Sequence, residues 1–208
     1  KQVAKALKDA GLFDKQEQYK HSVPHSDRSK VPIEPKLSLQ WFVKMRDLAK
    51  PAAEAAKEGK INFYPESWKK TYLYWLDNIQ DWCISRQLWW GHRIPIWYCK
   101  DCGAYSTGMI DPSACSKCNS LNIYQDEDVL DTWFSSWLWP ISPFGWPSED
   151  DTVKRELEYF YPSNVLVTAP EIIFLWVARM VICGLKFKNE APFKDIYFSS
   201  TVCDKQGR

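Results

Sequence analysis

Four cysteines in two closely spaced pairs constrain this chain more than any other feature. The pairs are Cys99-Lys-Asp-Cys102 and Cys115-Ser-Lys-Cys118. Two cysteines separated by two residues on a tight turn present both sulfurs to one point, and two such turns complete the tetrahedral sulfur site that zinc prefers. Gly103 supplies the permissive backbone that such a turn needs. We therefore predict a zinc ribbon between a strand at 94–98 and a strand near 121–124.

The predicted zinc is structural, because four protein ligands leave no position open for water or substrate. The alternative interpretation is a set of redox pairs or buried thiols. No secretory signal is recognisable at the N-terminus, and in that context paired cysteines favour metal over disulfides. The other cysteines, Cys83, Cys183 and Cys203, lie in apolar or strand-like segments, where inert buried thiols are expected.

Composition argues against a membrane-spanning protein and against a strongly basic nucleic-acid-binding protein. The chain of 208 residues is 45% hydrophobic and 25% charged, which is typical of one or two soluble globular domains. The net charge of +1 gives no overall attraction to nucleic acid, although local basic patches remain open. No apolar run reaches the ~18 residues of a membrane span, so we expect a cytoplasmic protein without a membrane partner. The polar segments at both ends suggest an excerpt of a longer protein.

The run 128–140, DVLDTWFSSWLWP, places Trp133, Trp137 and Trp139 within seven residues. Such a cluster is either a core packed around indoles or the wall of a pocket for an apolar ligand. The residues alone leave both interpretations open.

Hydrophobic periodicity predicts a mixed α/β protein. A short apolar strand at 164–168, a helix at 172–186 and a strand at 195–199 form a strand–helix–strand unit of the kind that builds parallel sheets. A helix is predicted at 2–10, ended by Gly11 as a left-handed cap. Further helices are predicted at 46–58, 66–79 and 149–158, and residues 82–90 are predicted to be mixed helix and turn.

Several motifs resemble, in chain order, the class I aminoacyl-tRNA synthetases of the valine/isoleucine/leucine subgroup. They are QWFVKM at 40–45, WCISRQLWWGHRIP at 82–95, DVLDTWFSSWLWP at 128–140, YPSNVLVT at 161–168 and IIFLWVARM at 172–180. WFSS followed by LWP resembles the valine-type form, that of the valyl-tRNA synthetase family, whereas isoleucine enzymes tend to have WFDSG here.

The resemblance implies an α/β fold: the second half of a Rossmann-like nucleotide-binding fold with an inserted zinc ribbon and the edge of an editing domain. It also implies a division of the chain into the exit of the editing insertion (1–45), a connective helical and strand segment (46–98), the zinc ribbon (99–125) and the second Rossmann-like half (126–208).

The activity implied by the resemblance is ATP-dependent ligation of valine to tRNA through valyl-adenylate. The implied partners are valine, ATP with Mg and tRNA(Val), with a monomeric enzyme and editing of mischarged threonine by a mostly absent domain. The family's HIGH-like and KMSKS signatures are absent from these residues, so the chain alone is expected to be inactive. An isoleucine-type ligase and a non-catalytic zinc-ribbon module that binds tRNA or protein are the alternatives.

The resemblance also implies site residues. Trp133, Ile172 and Trp176 are expected around the valine side chain. Glu171 occupies the place of an aspartate common in the family, where its carboxylate could meet the substrate ammonium or the adenylate. The alternative for Ile172 and Trp176, which are four residues apart on a predicted helix, is a simple core stripe. Trp137 and Trp139 are expected to pack the surrounding core.

Arg86, His92 and Arg93 form a small basic cluster beside Trp89 and Trp90. These residues could guide the tRNA acceptor end through phosphate contacts and base stacking. The arginines could equally brace the protein by pairing with its own carboxylates, and the sequence leaves both roles open.

Overall fold

The computed structural model describes residues 2–207, and the chain divides into two compact units, 1–39 and 40–208. In the first unit, helix α1 (Gln2–Asp9) is followed by extended chain, with an isolated bridge between His25 and Pro32. The chain turns away from α1 at Gly11, whose φ of +68° is in the left-handed region. This confirms the predicted helix and its glycine stop.

The second unit contains five α-helices and ten strands among its described residues. The helices are α2 (Arg46–Lys57), α3 (Trp68–Asp77), α4 (Thr132–Ser136), α5 (Asp151–Phe160) and α6 (Ala178–Lys188). The strands are β1 (Phe42–Val43), β2 (Asn62–Tyr64), β3 (Trp82–Cys83), β4 (Ser85–Arg86), β5 (Ile96–Cys99), β6 (Tyr105–Thr107), β7 (Ile123–Gln125), β8 (Val129–Leu130), β9 (Ser163–Thr168) and β10 (Phe193–Phe198).

A three-stranded parallel sheet forms the centre of this unit, in the order β2-β10-β9. Ile196 of the middle strand lies opposite Phe63 on one side and Leu166 on the other. All three side chains are buried. Helix α6 connects β9 to β10, which confirms the predicted parallel strand–helix–strand unit.

Helix α2 packs its alanine-rich face against α3 and α6. Ala52 and Ala56 are completely buried, and small side chains let helices approach closely. Pro51 lies inside α2 without ending it, as the prediction for 46–58 required. The helix predicted at 66–79 is also confirmed.

The helix predicted at 172–186 is irregular at its start. A 3₁₀ turn at Pro170–Ile172 is followed by a π-helical turn at Ile173–Val177, and regular α-helix begins only at Ala178. The π-turn shifts the register of the side chains that it carries, and such turns are frequent at functional sites. Trp176 lies within this turn.

A second sheet is antiparallel, in the order β6-β5-β7. Trp97 of the middle strand lies opposite Ser106 and Gln125. The paired cysteines lie on this sheet and its connections, between strands close to those predicted at 94–98 and 121–124.

The prediction of mixed helix and turn at 82–90 was wrong. Trp82–Cys83 instead pairs with β1, and Ser85–Arg86 pairs with β8. The pairing is supported by Ser85, whose hydroxyl oxygen accepts a 2.8 Å hydrogen bond from the backbone N–H of Trp41. Partners about forty residues away along the chain decide this conformation. None of the helices between residues 2 and 207 has the length and apolar character needed to cross a bilayer.

Candidate active site and metal centre

Helix α4 carries Trp133 and begins at a buried carboxylate. Asp131 is 6% exposed, and its Oδ1 accepts a 3.2 Å hydrogen bond from the backbone N–H of Trp133. An aspartate at this position satisfies one of the free N–H groups at the start of a helix. The cap therefore fixes the backbone of the residue that the sequence assigned to the valine pocket.

The second carboxylate oxygen of Asp131 lies close to one indole N–H group and two guanidinium groups. Oδ2 accepts hydrogen bonds from the indole N–H of Trp82 at 2.8 Å and from Nη2 of Arg86 at 2.9 Å. Nη1 of Arg179 lies 3.7 Å from the same oxygen. Two guanidinium groups thus face one carboxylate.

Arg179 is a buried cation on α6. Its guanidinium carbon lies 3.7 Å from the centroid of the Trp82 ring, which is close enough for a cation–π interaction. Burial lowers the pKa of Arg179 to about 10, although the Asp131 carboxylate acts in the opposite direction. Within residues 2–207, Nη1 of Arg179 has no hydrogen-bond partner.

The two predicted indole walls are connected through the other end of α4. Nε1 of Trp176 donates a 3.0 Å hydrogen bond to the backbone carbonyl of Ser136, and α4 packs against the π-turn that carries Trp176. Trp133, Trp176 and Ile172 are all half-buried. The structure therefore brings the segments bearing the three predicted pocket residues together at one place.

Glu171 lies at the rim of this region with its side chain exposed. Its Oε1 accepts a 3.0 Å hydrogen bond from the hydroxyl of Thr201. The carboxylate can thus exchange one weak surface partner for a ligand without leaving a buried group unpaired.

The expectation for the other tryptophans of the run was correct for Trp137 and wrong for Trp139. Trp137 is 6% exposed and lies against the rings of Trp82, Phe134 and Phe187. Trp139 is 55% exposed, because the chain turns after α4 and places Ile141 in the core instead.

The basic cluster divides into two kinds of residue. Arg86 donates to the carbonyls of Cys83 and Ser85 as well as to Asp131. Arg93 donates to the carbonyls of Gln125 and Asp126. Both arginines thus form hydrogen bonds within the chain, as expected if they brace the protein.

His92 has an exposed side chain, and its backbone carbonyl accepts from the N–H of Leu130. Trp89 and Trp90 nearby are 103% and 90% exposed. A cavity of about 300 Å³ lies between this loop and α4, and its lining includes Trp90, His92 and Thr132.

The four paired cysteines converge. Their sulfur atoms all lie within 4.8 Å of one another, and the Cys99–Cys118 and Cys102–Cys115 pairs are each 3.6 Å apart. A tetrahedral zinc with bonds of about 2.3 Å requires sulfurs roughly 3.8 Å apart. The donor set and its geometry therefore fit a zinc ion.

The two cysteine turns have the same backbone plan. Gly103 and Asn119, each following the second cysteine of a pair, have φ of +68° and +56°. Each donates its N–H to the carbonyl of the first cysteine, at 3.0 Å and 2.9 Å. Asp101 of the first turn accepts from Ser120 and Asn122 after the second, so side chains also join the turns.

Backbone amides around the first cysteine of each pair favour the thiolate. The N–H groups of Cys118 and Lys117 lower the pKa of Cys115 to about 6, and the N–H of Cys102 is the main cause of a lowered pKa at Cys99. The pKa of Cys118 is instead raised to about 12, because the N–H of Ser120 lowers it less than burial and the hydrogen bonds to the other three cysteines raise it. Thiolates are the form that binds metal.

Asp131, Arg179 and Asn119 were not among the site residues predicted from the sequence. Each left a weak signal: an aspartate before a short helix, one arginine in an apolar helix, and an asparagine that repeats the position of Gly103. None of these signals indicates which other residue the side chain contacts in the folded protein.

The family model for tRNA synthetases class I (I, L, M and V) matches residues 2–208. The chain belongs to this family. The chain is 54% identical over 208 residues to the valine–tRNA ligase of Bdellovibrio bacteriovorus and 55% identical to that of Carboxydothermus hydrogenoformans. It spans 23% of the length of each, with all of this chain covered.

Solved class I synthetases share the fold at low identity. The apo methionyl-tRNA synthetase of Mycobacterium tuberculosis aligns with a TM-score of 0.55 and 12% identity, over 87% of this chain and 30% of that one. The agnB2 LeuRS of Agrobacterium radiobacter K84, in a ternary complex with tRNA and LeuAMS, aligns with a TM-score of 0.50 and 21% identity, over 62% and 20%. Both similarities concern the fold alone.

Proposed function

We propose that this chain is part of a valine–tRNA ligase, in which it supplies one side of the amino acid site, the second half of the Rossmann-like nucleotide-binding fold and a zinc ribbon. Identity of 54–55% to valine–tRNA ligases over the whole chain supports this assignment. The parent enzyme would join valine to ATP as valyl-adenylate, release pyrophosphate and transfer the valyl group to tRNA(Val).

The structural observation that carries the proposal is the contact between α4 and the π-turn, closed by the Trp176–Ser136 hydrogen bond. Two indoles and the β-branched Ile172 can form a narrow, rigid slot for the two methyl groups of valine. The exposed carboxylate of Glu171 at the rim is suited to the substrate ammonium. Activation needs no covalent enzyme intermediate, so orientation of the carboxylate toward the α-phosphate is the main task of such a site.

An apolar slot shaped for valine would exclude larger side chains but would distinguish poorly between valine and threonine, which are isosteric. Valine–tRNA ligases are themselves the standard example of this limit. Removal of mischarged threonine is accordingly proposed for an editing domain, of which residues 1–45 would be the edge.

Zinc in the ribbon would be held by Cys99, Cys102, Cys115 and Cys118. A fully protein-coordinated ion stabilises the local fold and offers no site for substrate. We propose that it holds the two cysteine turns together beside the β5–β7 sheet.

ATP–pyrophosphate exchange by the full-length parent enzyme tests the assignment. Valine should support exchange, and Ile172→Ala should raise KM for valine about tenfold, since a buried aliphatic side chain is worth a few kcal/mol at most. Trp139→Phe, at an exposed tryptophan of the same motif, serves as the control and should leave KM unchanged. Preferential exchange with isoleucine would instead establish the isoleucine-type alternative.

A further inference from the structure

We propose that Asp131 is a positioning residue that sets the separation between the Trp133 and Trp176 walls of the amino acid slot and thereby its selectivity. The inference rests on the proposed function and adds a determinant of specificity at the same site. Asp131 need not touch the substrate, because it acts through the two elements that carry the tryptophans.

The first link runs from Asp131 to Trp133 along α4. Oδ1 of Asp131 accepts the backbone N–H of Trp133, so the carboxylate determines where this five-residue helix begins. A helix this short has few internal hydrogen bonds of its own, and its orientation depends on its ends.

The second link runs from Asp131 to the helix that carries Trp176. Arg179 lies three residues after Trp176, and its guanidinium is 3.7 Å from Oδ2 of Asp131. The same guanidinium stacks on Trp82, whose indole N–H donates to that oxygen. Asp131, Arg179 and Trp82 therefore form one buried unit between the two elements.

The third link closes the arrangement at the opposite end of α4. The carbonyl of Ser136 accepts the indole N–H of Trp176, while the Ser136 hydroxyl donates to Thr132 within α4. Helix α4 is thus attached to the 173–188 segment at both ends, through Asp131 and through Ser136. Two attachments restrict both the distance and the angle between the tryptophan-bearing elements.

Stabilisation of the fold does not by itself explain why Asp131, Arg179 and Trp82 are buried together. Two arginines face one carboxylate, and Arg179 is 6% exposed with Nη1 lacking a hydrogen-bond partner among the described residues. Apolar residues of similar volume often stabilise a core as well as, or better than, a buried ion pair. The directional hydrogen bonds that one carboxylate accepts from a helix start and from an indole do, however, define a unique geometry.

The chain offers a matched control at Asp126. This half-buried carboxylate also accepts an indole N–H, from Trp41 at 2.9 Å, together with the Tyr98 hydroxyl and the backbone N–H of Asp128. Like Asp131, it accepts an indole N–H and a backbone N–H two residues on, but its third partner is a hydroxyl where Asp131 has guanidinium groups. None of its partners lies on α4 or on the 173–188 segment.

The experiment compares Asp131→Asn and Asp126→Asn in the full-length parent enzyme by ATP–pyrophosphate exchange with valine, isoleucine and threonine. We expect Asp131→Asn to raise KM for valine about tenfold, as loss of a charged hydrogen bond would, without changing KM for ATP. Its preference for valine over isoleucine should fall. Asp126→Asn should lower thermal stability and leave the preference unchanged. Equal preferences in both variants would overturn the inference.

A second measurement is independent of activity. The ¹⁹F resonances of 5-fluorotryptophan at positions 133 and 176 should both shift in Asp131→Asn and stay in place in Asp126→Asn. Unmoved resonances in folded Asp131→Asn would refute the positioning role even in an active enzyme. Absence of valine-dependent exchange in the wild type, with both resonances shifted in Asp131→Asn, would instead refute the proposed function and keep the structural coupling.

Discussion

The indole N–H of Trp176 donates a 3.0 Å hydrogen bond to the carbonyl oxygen of Ser136, forty residues earlier in the chain. This bond joins a π-helical turn to the end of a five-residue helix. Neither element would be stable alone, because both are short and irregular. Their mutual contact turns two aromatic motifs that are distant in sequence into the two sides of one proposed slot.

The cysteine cluster should contain about one zinc ion per chain, measured by elemental analysis of protein purified without chelator. Cys115→Ser should lose the metal, because three remaining sulfurs do not complete the tetrahedral site. Cys203→Ser is the control, since Cys203 lies outside the cluster and is exposed, so the buried thiol expected there from the sequence was wrong. A wild-type protein with no bound metal would eliminate the zinc ribbon.

Trp137 and Trp139 should respond very differently to truncation, although they are two residues apart. Trp137→Ala removes a buried indole packed against three other rings and should lower the free energy of unfolding by about 3–5 kcal/mol. Trp139→Ala, at a largely exposed side chain, should change it by less than about 1 kcal/mol. Chemical denaturation measures both, and similar losses would mean that Trp139 is covered in solution.

Gly184→Ala should destabilise the protein by more than about 2 kcal/mol through overpacking. A Cβ at Gly184 would overlap the hydroxyl of Tyr161 and approach Cδ of Pro192 to 2.8 Å. Gly59→Ala is the comparison: its Cβ meets nothing within 4 Å, but its φ of +75° costs about 1 kcal/mol for a residue with a side chain. A Gly184→Ala protein as stable as Gly59→Ala would contradict the packing seen around α6.

Cys183 should resist alkylation at pH 8, whereas Cys203 should react. Burial raises the pKa of the Cys183 thiol to about 12, so the reactive thiolate is scarce and inaccessible. Below the ordinary thiol pKa of ~8.5, this thiol is protonated in both the folded and the unfolded protein, so its raised native-state pKa does not affect the free energy of unfolding. The free energy of unfolding should then fall as the pH rises from that value toward 12. Mass spectrometry after iodoacetamide treatment, with and without denaturant, distinguishes the two cysteines.

Trp90 and His92 should affect charging of tRNA more than activation of valine. Both line the cavity beside α4, and Trp90 is free to stack on an unpaired base. Trp90→Ala in the full-length enzyme should raise KM for tRNA several-fold, in keeping with ~1–3 kcal/mol for base stacking, while valine-dependent exchange stays unchanged. Leu121→Ala, at an exposed apolar residue near the cysteine turns, is the control. An unchanged KM for tRNA in Trp90→Ala would exclude a role in acceptor binding.

Local patterns predicted those parts of the fold that local physics determines. The strand–helix–strand unit ending at β10 follows from apolar periodicity, and Gly11 marked the end of α1 because its left-handed backbone strongly favours glycine. The convergence of the four paired cysteines could be predicted because two CxxC turns have only a few ways to bring their sulfurs together. Residues 82–86 were predicted wrongly, since their strand pairing depends on Trp41 and Val129, which no local pattern indicates.

The sequence by itself thus determined most of the helices, the parallel strand–helix–strand unit, the convergence of the paired cysteines and the family. Only the tertiary structure decided which tryptophans are buried, which arginine is enclosed and which carboxylate joins the two halves of the proposed slot. Spacing along a helix or strand specifies a face but not its partner. The pairing of Asp131 with Arg179 depends on the packing of α4 against the 173–188 segment, and that packing is a property of the whole core.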